Sequence, residues 1–161
     1  MSNFLHGRII INDNCSLVSK INSEMVEFSI RNNFALHYID TLPSKNTVGD
    51  INFIISDNFF VKYCECFLEP IIYTLDGVPI VEHLCKDLNK LQELVNIIFK
   101  YDFVENVELR FSYVEVNEED YEVCETNVGE MKNIILEKFL SESDSGFPVL
   151  NIVINRDPLV N

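Results

Sequence analysis

The sequence predicts a single α+β domain in which two or three helices pack against a mixed or antiparallel sheet. Short segments of alternating or continuous apolar residues dominate the first third, and two later segments repeat apolar residues at helical spacing. The second half runs in the order hairpin, helix, strand, helix, strand. The chain has 161 residues, 47% of them hydrophobic and 24% charged. One domain of this size can bury a substantial core without a disulfide or a metal.

The first third of the chain is predicted to form mainly strands. Residues 4–12 contain three consecutive isoleucines and end at a turn signal. Residues 16–31 fit a helical apolar stripe and, in their second part, also a strand alternation, and we prefer a helix for their first part. Strands are expected at residues 34–40 and 51–55, with a loop over residues 42–50 between them.

The dipeptide Asp76-Gly77 is the strongest hairpin signal in the chain. It is predicted to join strands at residues 71–75 and 78–83 through a two-residue loop. Such a loop pairs its two flanking residues with each other and places Pro79 in the next, non-hydrogen-bonded pair. Because proline has no backbone N–H to offer a further neighbour, the second strand is expected at the edge of a sheet.

Two helices are predicted in the second half. Leucine, valine and isoleucine recur every three or four residues over residues 84–100. The second helix is expected at residues 128–141, where Asn127 and Glu130 fit a capping pair at its start.

Two strands, at residues 106–116 and 149–154, are predicted around the second helix. The first alternates apolar and polar side chains, which is typical of a strand with one buried face. The second is mostly apolar, which favours a central position in the sheet.

The charge balance limits the classes of partner. The chain carries 12 basic and 26 acidic residues, a formal net charge of −14, and its lysines and arginines are scattered singly. Strong negative charge repels nucleic-acid phosphates and anionic lipids, so direct nucleic-acid or membrane binding is not expected. No signal-peptide pattern is present, and no apolar run reaches the roughly 20 residues that span a bilayer. A cytoplasmic location is therefore expected.

The five cysteines are an odd number and cannot all pair with one another. Two of them form a C-x-C in a strand-like stretch, but no second pair of cysteines or histidines stands at zinc-ligand spacing. We therefore expect reduced cysteines with structural roles. They are Cys15, Cys64, Cys66, Cys85 and Cys124.

No recognisable catalytic motif accompanies these elements. The three histidines, His6, His37 and His83, stand singly rather than at metal-ligand spacing. Glycine-rich phosphate-binding motifs and the calcium-loop pattern are also missing. The sequence thus predicts no catalytic residues, no metal ligands and no cofactor, and favours a protein that is not an enzyme.

An acidic run at residues 115–125 contains no basic residue and overlaps a predicted loop at residues 117–127. Connections of this length are uncommon, and longer ordered loops are often functional. Tyrosines beside carboxylates add contact area with a polar tip, as in many protein interfaces. The alternative is a solvated acidic loop that binds nothing. The predicted partner-binding set is Tyr113, Glu115, Glu118, Glu119, Asp120, Tyr121, Glu122 and Glu125.

These features predict an acidic protein that binds a basic protein and neutralises it. In its small size, high negative charge and lack of catalytic motifs, the chain resembles the immunity proteins of bacterial toxin systems. That resemblance implies a toxin inhibitor that blocks an active site, often that of a basic nuclease. It is a resemblance of general character and carries no motif, so it assigns no residue roles.

Two alternatives stay open. A subunit or adaptor of a protein complex would use an apolar face, for which the strand around Pro79 and the aromatic-rich strand predicted at residues 59–67 are candidates. A metal-dependent enzyme would bring carboxylates together with His37 or His83 around a divalent ion. Neither the partner's identity nor the oligomeric state follows from the sequence.

Overall fold

A computed structural model of the protein describes residues 4–11, 18–33, 36–40, 51–55, 74–112, 121–141 and 150–158. Within these ranges the chain forms three helices and eight strands. In chain order they are β1 (Phe4–Ile11), α1 (Val18–Arg31), β2 (Leu36–Asp40), β3 (Ile51–Ile55), β4 (Thr74–Leu75), β5 (Val78–Pro79), α2 (Ile80–Ile98), β6 (Val104–Ser112), β7 (Glu122–Asn127), α3 (Val128–Ser141) and β8 (Leu150–Asn155).

Six of the strands form one mixed sheet with the order β2-β3-β1-β6-β8-β7. Neighbouring strands in it are antiparallel, apart from β7 and β8, which run parallel. The predicted α+β class, a mixed sheet with helices packed against it, is confirmed. The mostly apolar strand β8 lies between β6 and β7, so its predicted central position is confirmed as well.

Alternation along the strands gives the sheet two unlike faces. On one of them, which we call the helix face, buried strand side chains join the apolar stripes of the three helices in a single core cluster. The strand members of that cluster are Leu5, Ile9, Ile11, Phe53, Val104, Val107, Leu109, Phe111, Leu150, Ile152 and Ile154. The opposite face, which we call the polar face, carries His6, Arg8, Ile10, Asn106, Glu108, Arg110, Val123, Glu125, Asn151, Val153 and Asn155.

Within the segment of ambiguous periodicity, Val18–Arg31 forms the helix α1. Ile21, Met25 and Phe28 are buried, whereas Val26 and Ile30 are exposed. A helix places the first three side chains on one side and the other two outside, while a strand would have buried Val26, Phe28 and Ile30 together. The segment is a helix because that conformation buries all three side chains of the apolar stripe in the core.

The hairpin at Asp76-Gly77 has the predicted register but a shorter second strand, and residues 71–73 of the predicted first strand lie outside the described residues. Both predicted residue pairs form between β4 and β5, and φ angles of 55° at Asp76 and 79° at Gly77 are typical of a type I′ turn. The predicted extension of the second strand to His83 is wrong, because α2 begins at Ile80. Pro79 cannot continue a ladder, and its φ of −53° and ψ of 141° suit the extended residue before a helix. The hairpin is a separate two-stranded sheet.

Several predicted segments can be compared only in part. The strand predicted at residues 106–116 is β6, which begins two residues earlier and is described as far as Ser112. Residues 113–116, the strand predicted at residues 59–67 and the loop predicted at residues 42–50 lie outside the described residues.

The start of α3 carries two side-chain caps. Asn127 Oδ1 accepts a 3.0 Å hydrogen bond from the backbone N–H of Glu130, which confirms the Asn127 half of the predicted capping pair. Asp157 Oδ1 accepts a 2.7 Å hydrogen bond from the N–H of Gly129, 28 residues away in the chain. A carboxylate here also interacts favourably with the positive end of the helix dipole. No local sequence pattern indicates this second cap, because it depends on the packing of β8.

Arg156, the residue before Asp157, binds beside the C-terminal end of the helix α2. Its guanidinium donates hydrogen bonds to the carbonyl oxygens of Phe99, Tyr101 and Val104, the last at 3.0 Å. These carbonyls belong to Phe99, which caps the C-terminal end of α2, and to the connection that leads into β6. The helix dipole favours a cation near this end. One side chain thus ties the connection between α2 and β6 to the end of β8.

Replacing Arg156 with alanine is expected to lower the free energy of unfolding by about 2–3 kcal/mol, because three carbonyl oxygens lose a charged donor. Arg156→Lys should recover little of this, since an ammonium group cannot reach all three acceptors in a planar fork. Urea denaturation followed by circular dichroism measures the change. Lys100→Ala, at an exposed position after α2, is the matched control and should change stability by no more than about 0.5 kcal/mol. Equal losses for both variants would show that the carbonyl contacts contribute nothing.

Gly7 lies directly against the ring of Phe53 on the helix face. The two residues are register partners in the β1–β3 pair, and a Cβ atom on Gly7 would fall on the Phe53 ring. Phe53 is fully buried, so any shift of its ring would have to be accommodated within the core. Close approach therefore excludes a side chain at position 7.

Gly7→Ala is expected to destabilise the protein by about 2–3 kcal/mol, because the ring or the strand must move. The double variant Gly7→Ala with Phe53→Leu should lose less than the sum of the two single variants, since leucine leaves room for the new methyl group. A double-mutant cycle from chemical denaturation measures that coupling. Strictly additive losses would contradict the contact.

Candidate functional site at the sheet edge

The C-terminal part of the acidic run forms the edge strand β7. Its six residues pair in parallel with β8 without a register shift. The predicted loop, residues 117–127, is therefore wrong over Glu122–Asn127. The charged and polar side chains of this strand give it no apolar alternation that would predict a strand. Its parallel pairing with a distant strand requires no turn signal nearby in the sequence. Of the predicted binding set, the residues outside the described part are Tyr113, Glu115, Glu118, Glu119 and Asp120.

The edge strand places its two carboxylates on opposite faces of the sheet. Glu122 lies on the helix face and forms an ion pair with Lys138 of α3. Glu125 lies on the polar face and accepts a 3.0 Å hydrogen bond from the Nδ2 group of Asn155. A spacing of three residues along a strand causes this separation, because side chains alternate. These two carboxylates therefore flank the edge from both sides rather than form one patch.

Tyr121, the residue before β7, contacts Arg110 on the polar face. The Arg110 guanidinium carbon lies 5.4 Å from the centroid of the Tyr121 ring, within the range of a cation–π interaction. Arg110 belongs to β6, so this contact crosses β8 and links the start of the edge strand to the middle of the sheet. Tyr121 is half-buried, so its contact with Arg110 helps to hold the start of β7 against the sheet.

Val123 is an exposed apolar residue between the two carboxylates. It is 64% exposed and shares the polar face with Glu125. The Glu122 side chain is itself 49% exposed in spite of its ion pair. An exposed pair of this kind contributes about 0–1 kcal/mol. Glu122 can therefore exchange Lys138 for a cation on another molecule at little cost.

Cys124 lies on the helix face of the edge strand and is half-buried. Burial raises the pKa of Cys124, with Lys138 acting against that shift and Glu122 adding to it. A thiol with a raised pKa is mainly protonated near neutral pH and is a poor nucleophile. Cys124 and Cys85 are free thiols, and the remaining three cysteines lie outside the described residues.

A cluster of basic side chains lies on the polar face, where no sequence pattern indicates one. His6 is the register partner of Arg110, and Arg8 that of Glu108. Arg8 Nε donates a 2.8 Å hydrogen bond to Glu108 Oε2, across 100 residues of sequence. Burial, followed by the charges of Arg110 and Arg8, lowers the pKa of His6. The imidazole is therefore neutral near pH 7, and the two strands bring together residues that sequence spacing keeps apart.

The metal-site alternative gains nothing from the described residues. Within them, no group of three or more histidine, cysteine, aspartate or glutamate side chains could hold a metal ion. His83 is half-buried in α2, and the side chain of His37 lies outside the described part. In the same part of the chain, no helix combines the length and apolar character needed to cross a lipid bilayer.

Comparisons with known proteins identify no relative of the chain. No protein-family model matches it, and searches of curated proteins and of solved structures find no match. Function is therefore inferred from the residues of this chain.

The lowered pKa of His6 predicts a loss of stability in mild acid. The unfolded imidazole takes up a proton near its ordinary pKa of 6.5, whereas the folded state resists protonation there. The contribution of His6 is therefore complete above 6.5 and is lost as the pH falls through that value towards the lower pKa of the folded state. His6→Gln should lose less stability than the wild type between about pH 7 and pH 5.5, measured by urea denaturation. An NMR titration that places the His6 pKa at or above 6.5 would refute the prediction.

Proposed function

We propose that the protein binds a basic protein partner through the edge strand β7 and neutralises it, as an immunity protein of a bacterial toxin system does. The observation that carries the proposal is the exposed edge itself. It presents Val123, which is 64% exposed, between the carboxylates of Glu122 and Glu125. An apolar anchor beside exposed charges is a common composition of protein interfaces.

The charge of the chain supports a basic partner. Four further acidic residues occupy the six positions before Tyr121, and the formal net charge is −14. Charges of one sign over a surface attract an oppositely charged protein and increase its association rate, chiefly at low ionic strength. A nuclease toxin would fit this requirement, because a groove that binds phosphates must be positively charged. An acidic edge in that groove would exclude the nucleic acid.

A second candidate function, that of an adaptor in a protein complex, is favoured by α1. Its side chains Val26 and Ile30 are 41% and 76% exposed and lie one turn apart on the same side of the helix. An apolar partner could dock there. Binding at this surface would be insensitive to charge reversal on β7.

The edge assignment predicts that reversing two charges weakens binding. Affinity capture at about 50 mM salt, followed by recombinant production of each captured protein, should yield a 1:1 complex with a basic protein whose affinity falls as salt rises. Glu122→Lys combined with Glu125→Lys should weaken that complex by about 10- to 100-fold. Isothermal titration calorimetry measures the affinity. Purified toxin activity, titrated with each variant, tests neutralisation.

The control variant is Glu27→Lys combined with Glu93→Lys, which changes the net charge equally at exposed helix positions. It should weaken binding far less than the edge variant. Equal weakening by both would refute the edge as the binding site. Failure to recover any basic partner whose activity the protein reduces would refute the proposed function.

A further inference from the structure

The outer side of β7 is a regular strand edge. β7 is the last strand in the sheet order, and within the described residues its neighbour is β8 alone. In a strand, backbone N–H and C=O groups point alternately to the two sides, so about half of those in β7 point away from β8. These groups are the ones that another strand would pair with.

The two edges of the sheet differ in regularity. The pairing of β2, at the opposite edge, contains a register shift between Leu36 and Tyr38. The pairing of β7 runs from Glu122 to Asn127 without one. Proteins commonly protect exposed edges with bulges, prolines or lysines, and β7 contains no proline and no lysine. Charged side chains also protect edges, and the exposed charges of β7 are both carboxylates. This protection repels acidic strands and attracts a basic one.

We infer that the basic partner binds by strand addition, so that one of its strands pairs with the outer side of β7 and extends the sheet. The inference rests on the proposed function, because it specifies how the same edge recognises its partner. A second copy of this chain is disfavoured as the occupant at neutral pH. Pairing β7 with β7 would bring the exposed glutamates of two chains together along one seam, and two chains of formal net charge −14 repel each other.

The faces of β7 define the pattern that an added strand must carry. Glu122 and Glu125 lie three residues apart on opposite faces, with Val123 on the face of Glu125. A matching strand therefore needs two cations three residues apart and an apolar residue opposite Val123. In antiparallel addition that pattern reads cation-x-apolar-cation, and in parallel addition it reads cation-apolar-x-cation.

Cyclised β-hairpin peptides of equal composition test this pattern. The outer strand of the antiparallel probe reads Thr-Lys-Thr-Val-Lys-Thr, and that of the parallel probe reads Thr-Lys-Val-Thr-Lys-Thr. A control strand, Thr-Lys-Thr-Lys-Val-Thr, carries both lysines on one face. One of the first two probes should bind the full chain about 5- to 10-fold more tightly than the control. NMR titration measures the affinity, and amide hydrogen exchange should show new protection at alternate residues of β7.

A second set of probes separates strand addition from simple charge attraction. In each of these probes, the backbone nitrogens of the outer strand that would face β7 are methylated. The methylated peptide keeps both lysines but has no N–H donors for β7. The methylated form of the better probe should lose most of its binding. If it binds as well as the parent, or if all three unmethylated probes bind equally or not at all, strand addition is refuted. These results would leave the proposed function unaffected, because it is tested separately by the capture of a basic partner whose activity the protein reduces.

Discussion

The burial of β8 between β6 and β7 is the interaction on which the candidate edge and two helix ends depend. Its side chains Leu150, Ile152 and Ile154 are at most 1% exposed and belong to the same core cluster as the helices. The two residues that follow the strand then reach the ends of two helices. Arg156 satisfies carbonyl oxygens after α2, and Asp157 caps the start of α3. One buried strand therefore positions an edge, a helix start and a helix end.

The same pairing determines the chemistry of the edge. Pairing with β8 fixes the register of β7. Because side chains alternate along a strand, the even-numbered residues of β7 lie on the helix face and the odd-numbered residues lie on the polar face. Glu122 meets Lys138 on one side, and Glu125 meets Asn155 on the other. Neither contact is strong enough to hold its carboxylate away from another cation, because both glutamates are exposed. The edge keeps its backbone geometry fixed while its charged side chains remain available.

Elements that depend on local contacts were predictable from the sequence. The helix α3 has the predicted bounds and the predicted cap by Asn127, and the hairpin at Asp76-Gly77 has the predicted register. Each of these depends on residues within a few positions of one another.

Features that depend on distant pairing were not predictable. The strand β7 exists because β8 accepts it as a parallel neighbour, and the contact between Arg8 and Glu108 crosses 100 residues. For the candidate site, the sequence indicates the acidic composition of Glu122 and Glu125 but not their opposite faces. That arrangement follows from strand alternation, which can be applied only once β7 is known to be a strand.

The hydrogen bond from Arg156 to Phe99 has a consequence for the order in which the chain folds during synthesis. The two residues are separated by 57 positions, which a ribosome translates in about 3–11 s. During that interval α2 has been made, but the carbonyl groups of Phe99, Tyr101 and Val104 lack the Arg156 guanidinium, and β6 lacks its neighbour β8. The edge strand β7 also emerges before the strand that supports it. The nascent chain therefore acquires its supported edge strand only when β8 is complete, as one of the last steps of folding of the described part.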